Sequence, residues 1–209
     1  MTSPLEIQRL TDAPIIPRPH TGRAPASPQN INGPSLIRVP GWVERPLGRY
    51  YLYYADHKGS EIKLAFADAL EVPRGPGVPS PMADCTIPHI ASPEVIVDEK
   101  TRTIRLYYHG LNAFITQISR VAVSTDGLHF EPRDEILAPP YLRIFRYRNA
   151  WHGLAMPGSL WRSDDGLTGF EPGPVLFEPN MRHAALWLRG ETLWVFWTRV
   201  GDAPERILL

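Results

Sequence analysis

The fold of this chain is decided by two near-copies of one turn, Ser124-Thr-Asp-Gly-Leu-His-Phe-Glu-Pro132 and Ser163-Asp-Asp-Gly-Leu-Thr-Gly-Phe-Glu-Pro172. A serine, then Asp-Gly, predicts a tight turn, because glycine adopts positive φ without steric cost. The aromatic residue that follows is expected to pack back into the core. Two copies about 40 residues apart indicate a repeated supersecondary unit.

Aromatic-rich segments recur with the same period. Their starts lie roughly 40 to 55 residues apart, which is the spacing of four-stranded β-propeller blades. Runs of this length rich in tyrosine, tryptophan and β-branched residues favour strands over helices. The segments are Arg49–Ala55, Ile104–His109, Ala150–Ala155 and Leu193–Thr198.

The repeat predicts an all-β chain with one domain, a five-bladed β-propeller of which about three and a half blades are present. Residues 1–33 are rich in proline and are interpreted as an N-terminal strap before the propeller domain, residues 34–209. The predicted blades span about 34–75, 92–137, 141–178 and an incomplete 182–209. Because an open ring leaves strand edges bare, we expect either a C-terminally truncated chain or self-association through the unclosed edge.

Charge and composition exclude several classes of function. Lysine and arginine total 22, as do aspartate and glutamate, so no excess of positive charge points to nucleic acid. Apolar runs are too short to cross a membrane, and the first residues lack a secretory signal pattern. The single cysteine, Cys85, excludes an internal disulfide and a four-cysteine zinc site. These features favour a cytoplasmic protein.

Four motifs resemble the five-bladed propellers of the family 43-like and family 32-like glycoside hydrolases and their uncharacterised bacterial relatives. They are Asn32-Gly-Pro-Ser35, Tyr50-Tyr-Leu-Tyr-Tyr54, Ala91-Ser-Pro-Glu-Val95 and Ser163-Asp-Asp-Gly166. The resemblance implies a small saccharide as partner and a site at the propeller axis, on the first strands and loops of successive blades. The fold alone does not fix the activity.

The resemblance also implies three carboxylates, a base in the first blade, a pKa modulator in the third and an acid in the fourth. At those places the sequence has Asn32-Gly33, Pro139-Pro140-Tyr141 and Arg182-His183. Asparagine cannot act as a base, and arginine is permanently charged. The usual triad is therefore not evident.

Histidines stand where carboxylates are missing. A histidine at such a place can act as a general acid, a metal ligand or a partner for sugar hydroxyls, or it can be a structural residue between blades. If the repeats align, five of them converge at the axial end of the propeller: His57, His89, His109, His152 and His183.

The candidate catalytic residues are His183 as acid and Glu94 or Asp56 as carboxylate. For Glu94 the alternative is a structural ion pair, and Asp202 and Glu205 are further carboxylate candidates. The guanidinium of Arg182 beside the imidazole of His183 would suit a carboxylate-bearing sugar or a phosphate. The alternative for Arg182 is a salt bridge between blades. The candidate substrate-binding residues are Asn32, His57, His89, His109, Trp151, His152 and Arg182.

Three functions stay open at this point. The first is a glycoside hydrolase-like enzyme acting on a glycosidic bond. The second is a saccharide-binding propeller without catalysis, since the carboxylates are missing. The third is a metal-dependent or phosphate-dependent lyase or phosphorylase, in which a divalent metal near the axis would be held by the histidines.

Overall fold

A computed structural model describes residues 12, 15–16, 31–56, 59–70, 72–82, 89–112 and 114–209. Within these residues the chain forms β-strands and no α-helix. No helix in the described ranges is therefore long and apolar enough to cross a bilayer. The strands are β1 Ile31–Arg38, β2 Tyr50–Asp56, β3 Ile62–Ala69, β4 Val72–Met82, β5 Ile90–Asp98, β6 Thr103–Leu111, β7 Gln117–Ser124, β8 Glu131–Pro132, β9 Arg143–Tyr147, β10 Ala150–Ala155, β11 Ser159–Ser163, β12 Glu171–Val175, β13 Met181–Arg189 and β14 Thr192–Arg199.

Consecutive strands pair antiparallel into sheets. The first, second and third sheets have four strands each, in the orders β1-β2-β3-β4, β5-β6-β7-β8 and β9-β10-β11-β12, and the fourth contains β13 and β14. This succession of meanders confirms the predicted all-β propeller architecture. Near the C-terminus, one antiparallel bridge joins Trp197 of β14 to Leu208. Of the predicted strap, most lies outside the described residues.

The two turns that define the repeat hold neighbouring sheets together. Tyr53, in the first sheet, donates a hydrogen bond from its hydroxyl to the carbonyl of Gly127 at 2.9 Å. Tyr107, in the second sheet, does the same to Gly166 at 2.7 Å. The serine three residues before each glycine accepts that glycine's N–H at 2.9 Å. Each Ser-x-Asp-Gly turn therefore offers a carbonyl to a tyrosine of the preceding sheet.

A buried ion pair reinforces the boundary between the second and third sheets. Arg105 donates to Asp98 at 2.6 Å, and the two side chains are 4% and 5% exposed. The same guanidinium donates to the carbonyl of Asp165 at 2.6 Å and lies 4.4 Å from the ring centroid of Trp151. The charged side chain of Arg105, in the second sheet, is thus buried against the Asp165 turn and the Trp151 ring of the third sheet.

Each sheet enters its first strand through a residue with left-handed backbone. The four residues are Gly33, Ser92, Tyr141 and His183, with φ between 48° and 62°. In β1, β5 and β13 this residue lies at a break in the strand register, while Tyr141 precedes β9. Such bulges redirect side chains next to functional sites. The repeat therefore places one redirected residue per sheet at the same end of the fold.

Candidate functional site

Four planar side chains form a continuous row across three sheets, here called the histidine–tyrosine row: His89, His109, Tyr141 and His183. The ring centroids of His89 and His109 are 5.5 Å apart, and those of His109 and Tyr141 are 4.4 Å apart. Tyr141 meets His183 edge-on at 4.8 Å. The row contains three of the histidines predicted to converge, with a tyrosine between two of them.

His109 is the most deeply buried member of the row. It lies on β6 opposite Ala91 of β5, and it is 1% exposed. Burial, followed by the nearby charges of His89 and Arg143, lowers its pKa to about 3. The imidazole is therefore neutral at physiological pH and offers one donor and one acceptor.

His183 closes the row at the entrance to β13. Burial lowers its pKa, and the neighbouring Arg182 guanidinium acts in the same direction. A neutral imidazole at pH 7 is suited to hydrogen bonding with hydroxyl groups. The acid role that the sequence predicts for His183 would require the protonated ring, and it stays a prediction.

Glu94 lies beside the row in an ion pair, which is the alternative that the sequence left open for this residue. Arg143, at the start of β9, donates to Glu94 at 3.0 Å and to the carbonyls of Pro93 and Ala184, each at 2.8 Å. Burial raises the pKa of Glu94, and the charge of Arg143 only partly offsets this effect. Arg143 thereby joins the second, third and fourth sheets next to the row.

Arg182 pairs with the second carboxylate near the row. Its guanidinium lies 3.3 Å from both carboxylate oxygens of Glu205, and both side chains are partly exposed. A hydrogen bond with the Thr198 hydroxyl, followed by the contact with Arg182, lowers the pKa of Glu205. The other carboxylate candidate of this segment, Asp202, instead lies 4.0 Å from Arg199.

The remaining predicted site residues lie in other surroundings. Asp56 is bound to Lys63 at 2.6 Å, and His57, its neighbour, lies outside the described residues. Asn32 pairs with Ala55 across β1 and β2. The other two lie on β10. Trp151 is 6% exposed and packs against the buried ion pair of the second sheet, and His152 stacks on Phe145 with centroids 5.3 Å apart.

Two residues of the site were missed by reasoning from the sequence: Tyr141 and Arg143. Tyr141 was noted only as a place without a carboxylate. Arg143 carried a usable signal, because an arginine between the apolar Leu142 and Ile144 at a strand start requires a buried partner.

The glycine in place of the expected first-blade carboxylate has a steric reason. A Cβ at Gly33 would lie 2.7 Å from the Cα of Ser92, and its φ is 52°. The neighbouring sheet therefore leaves no room for a side chain at this position.

We expect Gly33→Asp to lower the free energy of unfolding by roughly 3 kcal/mol, from backbone strain combined with overpacking. The variant should not gain hydrolytic activity. Chemical denaturation measures the loss, and Gly41→Asp is the matched control because a Cβ at Gly41 meets nothing within 4 Å. Equal stability of the two variants would contradict the steric explanation.

A metal centre was an open alternative for the histidines. Among the described residues, no group of three or more His, Cys, Asp or Glu side chains is arranged to hold a metal ion. The ring contacts of the row instead place tyrosine between His109 and His183.

No protein-family model matches the chain. An uncharacterized protein of Acanthamoeba polyphaga mimivirus is 32% identical over 217 aligned residues, which cover 86% of this chain and 61% of the viral protein. This relative is viral, so it does not support the expected bacterial origin. The chain spans less than two thirds of the length of the viral protein.

Solved structures of glycoside hydrolases share the fold. An exo-β-1,3-galactanase from Phanerochaete chrysosporium aligns with a TM-score of 0.63 at 10% identity, over 81% of this chain and 44% of that one. A thermostable family-43 glycoside hydrolase aligns with a TM-score of 0.59 at 13% identity, over 81% of this chain and 64% of that one. The Bombyx mori GH32 β-fructofuranosidase aligns with a TM-score of 0.57 at 16% identity, over 81% of this chain and 41% of that one. The chain therefore has the fold of the five-bladed β-propeller glycoside hydrolases.

Proposed function

We propose that this chain is a carbohydrate-active protein that binds a saccharide at the histidine–tyrosine row. The row itself carries the proposal: His109, Tyr141 and His183 come from three different sheets, and their planar, neutral rings contact one another. The glycoside hydrolase fold of the structural neighbours supports a sugar as the ligand class. At such low identity, that support concerns the fold and leaves the ligand as a proposal.

The chemistry of the row suits a polyhydroxylated ligand. Tyr141 offers an aromatic face and a hydroxyl, and burial raises its pKa, so it stays a neutral donor. The imidazoles of His109 and His183 are neutral and combine a donor with an acceptor. The flanking arginine–glutamate pairs add further donors and acceptors. A few convergent polar groups among planar side chains are typical of small-ligand sites.

A second candidate function, hydrolysis of a glycosidic bond, is favoured by the two carboxylates beside the row. Burial raises the pKa of Glu94, whereas hydrogen bonding lowers that of Glu205. Environments that push two carboxyl pKa values apart are characteristic of acid and base pairs. In this scheme Glu94 would donate a proton to the leaving oxygen and Glu205 would activate water. Glu94→Gln would then abolish release of reducing sugar while binding persists.

Saccharide binding is tested with thermal melts and calorimetric titrations of galactose, arabinose, fructose and galacturonate. A sugar that binds the native state raises the melting temperature by mass action. We expect Tyr141→Ala to weaken binding of that sugar roughly tenfold, through the loss of its aromatic contact. Trp187→Ala is the control, because Trp187 is exposed on the fourth sheet and belongs to no contact of the row.

Two outcomes would overturn the proposal. One is the absence of any shift in melting temperature across the panel. The other is equal affinity in the wild type and in Tyr141→Ala, which would place the sugar elsewhere on the protein. The galacturonate arm separates a neutral sugar from an acidic one, for which Arg182 would be the expected partner.

A further inference from the structure

The hairpin tip that joins β6 to β7 presents two adjacent apolar side chains to solvent. Phe114 is 86% exposed and Ile115 is 79% exposed, which is more than any other large apolar side chain among the described residues. A single exposed apolar residue is ordinary on a protein surface, whereas adjacent ones form a patch that more often marks an interaction site. The tip therefore requires a physical explanation.

Hydrogen bonds of Asn112 hold the tip in one shape. Its side-chain oxygen accepts the N–H of Phe114 at 3.0 Å and that of Thr116 at 2.9 Å. Its backbone donates to the carbonyl of Thr116 at 2.9 Å and accepts the N–H of Ile115 at 3.0 Å. The backbone that carries both apolar side chains is thus ordered before any ligand binds, which lowers the entropic cost of binding.

Ile115 has a backbone conformation that disfavours its own side chain. Its φ is 60°, in the left-handed region that β-branched residues avoid. Glycine or asparagine would adopt this conformation at a lower cost. The tip therefore combines backbone strain with apolar side chains that bury little surface. Neither feature stabilises the fold, and such features are typical of residues retained for function.

The tip adjoins the His89 end of the histidine–tyrosine row. Ile90 lies opposite Gly110 in the antiparallel register of β5 and β6, so His89 is level with Leu111, where β6 ends. A Cβ at Gly110 would lie 3.0 Å from the carbonyl oxygen of His89, which places that backbone directly beside β6. Phe114 follows Leu111 by three residues, so their Cα atoms are within roughly 10 Å of each other.

The chemistry around the tip favours a neutral sugar as its ligand. Residues 109–119 contain no Asp, Glu, Lys or Arg, and the polar side chains next to the two apolar ones are Asn112, Thr116 and Gln117. An aromatic face among uncharged hydrogen-bonding groups matches the C–H face and the hydroxyl groups of a sugar ring. Binding to an anionic lipid surface would be favoured by lysine or arginine beside the apolar residues, and this stretch has neither.

We propose that Phe114 and Ile115 form an outer subsite for an extended saccharide whose first ring lies at the histidine–tyrosine row. The row runs from Tyr141 through His109 to His89 in steps of 4.4 Å and 5.5 Å between ring centroids. Two further side chains thus separate a ring bound at Tyr141 from the tip, and only a longer ligand contacts both places. This inference rests on the proposed function and narrows its ligand class to oligosaccharides.

The test compares ligands of increasing length by calorimetric titration, with the mono-, di- and trisaccharides of galactose, arabinose, fructose and galacturonate. In the wild type, affinity should rise roughly tenfold from the monosaccharide to the trisaccharide of the sugar that binds, and Phe114→Ala should abolish this gain. Phe114→Tyr keeps an aromatic face and should retain it. Because the Phe114 side chain is exposed in the free protein, the melting temperature of both variants should stay within about 2 °C of the wild type.

A second variant tests the strained residue, and a control tests exposure alone. Ile115→Asn should keep or raise the melting temperature, because asparagine tolerates positive φ, and it should reduce the gain in affinity with ligand length. Leu47→Ala is the control. Leu47 is 40% exposed in the connection between β1 and β2, at the opposite end of the fold from the row, so this variant should retain the full gain.

Each contrary outcome has a distinct meaning. If the wild type binds monosaccharide and trisaccharide equally tightly, or if Phe114→Ala retains the full gain, the outer subsite is refuted while saccharide binding at the row stands. A fall in melting temperature of more than about 2 °C in Phe114→Ala would also refute it, since the side chain would then stabilise the free protein. If no saccharide of any length binds the wild type, the proposed function itself fails and the subsite with it.

Discussion

The Asp98→Ala variant is expected to lose about 4 kcal/mol of unfolding free energy, because it leaves the Arg105 guanidinium buried without its counter-charge. The two side chains are 2.6 Å apart and almost inaccessible to water. Burial raises the pKa of Asp98, but hydrogen bonding from Thr101 and the charge of Arg105 outweigh this effect and hold the pKa below its usual range. Urea denaturation at neutral pH measures the loss.

The control is an exposed pair with the same geometry. Arg162 and Asp164 are also 2.6 Å apart, but their side chains are 54% and 84% exposed. Asp164→Ala should therefore cost less than about 1 kcal/mol. Comparable losses for the two variants would show that burial of the Asp98 pair does not determine its energy.

A second comparison separates the ion pair from the volume that it fills. Asp98→Leu combined with Arg105→Met replaces both charges with apolar groups and leaves no charge buried alone. Such replacements of a complete buried pair are often neutral or stabilising, whereas removal of one partner is costly. The double variant should therefore be more stable than Asp98→Ala. Since Arg105 also contacts Trp151 and the carbonyl of Asp165, some loss relative to wild type is expected.

The architecture was predictable because it is repeated locally in the sequence. The two Ser-x-Asp-Gly turns and the aromatic strands recur with one period, and each copy confirms the interpretation of the others. The structure adds what local patterns cannot contain, namely that Tyr53 and Tyr107 each bond to the turn of the following sheet. A tyrosine in an aromatic strand has the same local signature whether it faces a neighbouring blade or solvent.

The candidate site was predicted only in part, because its members come from different sheets. The sequence brought His89, His109 and His183 together on the assumption that the repeats superimpose. It missed Tyr141, because the search was for a carboxylate at that position rather than for the side chain present there. It also gave no sign that Arg143 forms the ion pair with Glu94, since the two residues are 49 positions apart in the sequence. Pair contacts of that range depend on how blades pack.

The stability of this protein is expected to fall as the pH drops below about 6.5, and His109 should be a main cause. Its pKa is about 3 in the folded chain against 6.5 for an unperturbed histidine. Between these values the unfolded state binds a proton that the folded state does not. The free energy of unfolding should therefore decrease by about 1.4 kcal/mol per pH unit as the pH falls through this range, once the unfolded histidine is largely protonated. Denaturation curves between pH 7 and pH 5 measure the slope.

Other groups titrate in the same window and must be separated from His109. The lowered pKa values of His152 and His183 act in the same direction, whereas the raised pKa of Glu94 acts in the opposite one. His109→Phe removes one titrating group and keeps the ring contacts, so the difference in slope between wild type and variant isolates its share. We expect the variant to lose much less stability on acidification. Parallel curves would mean that the imidazole of His109 is protonated in the folded protein.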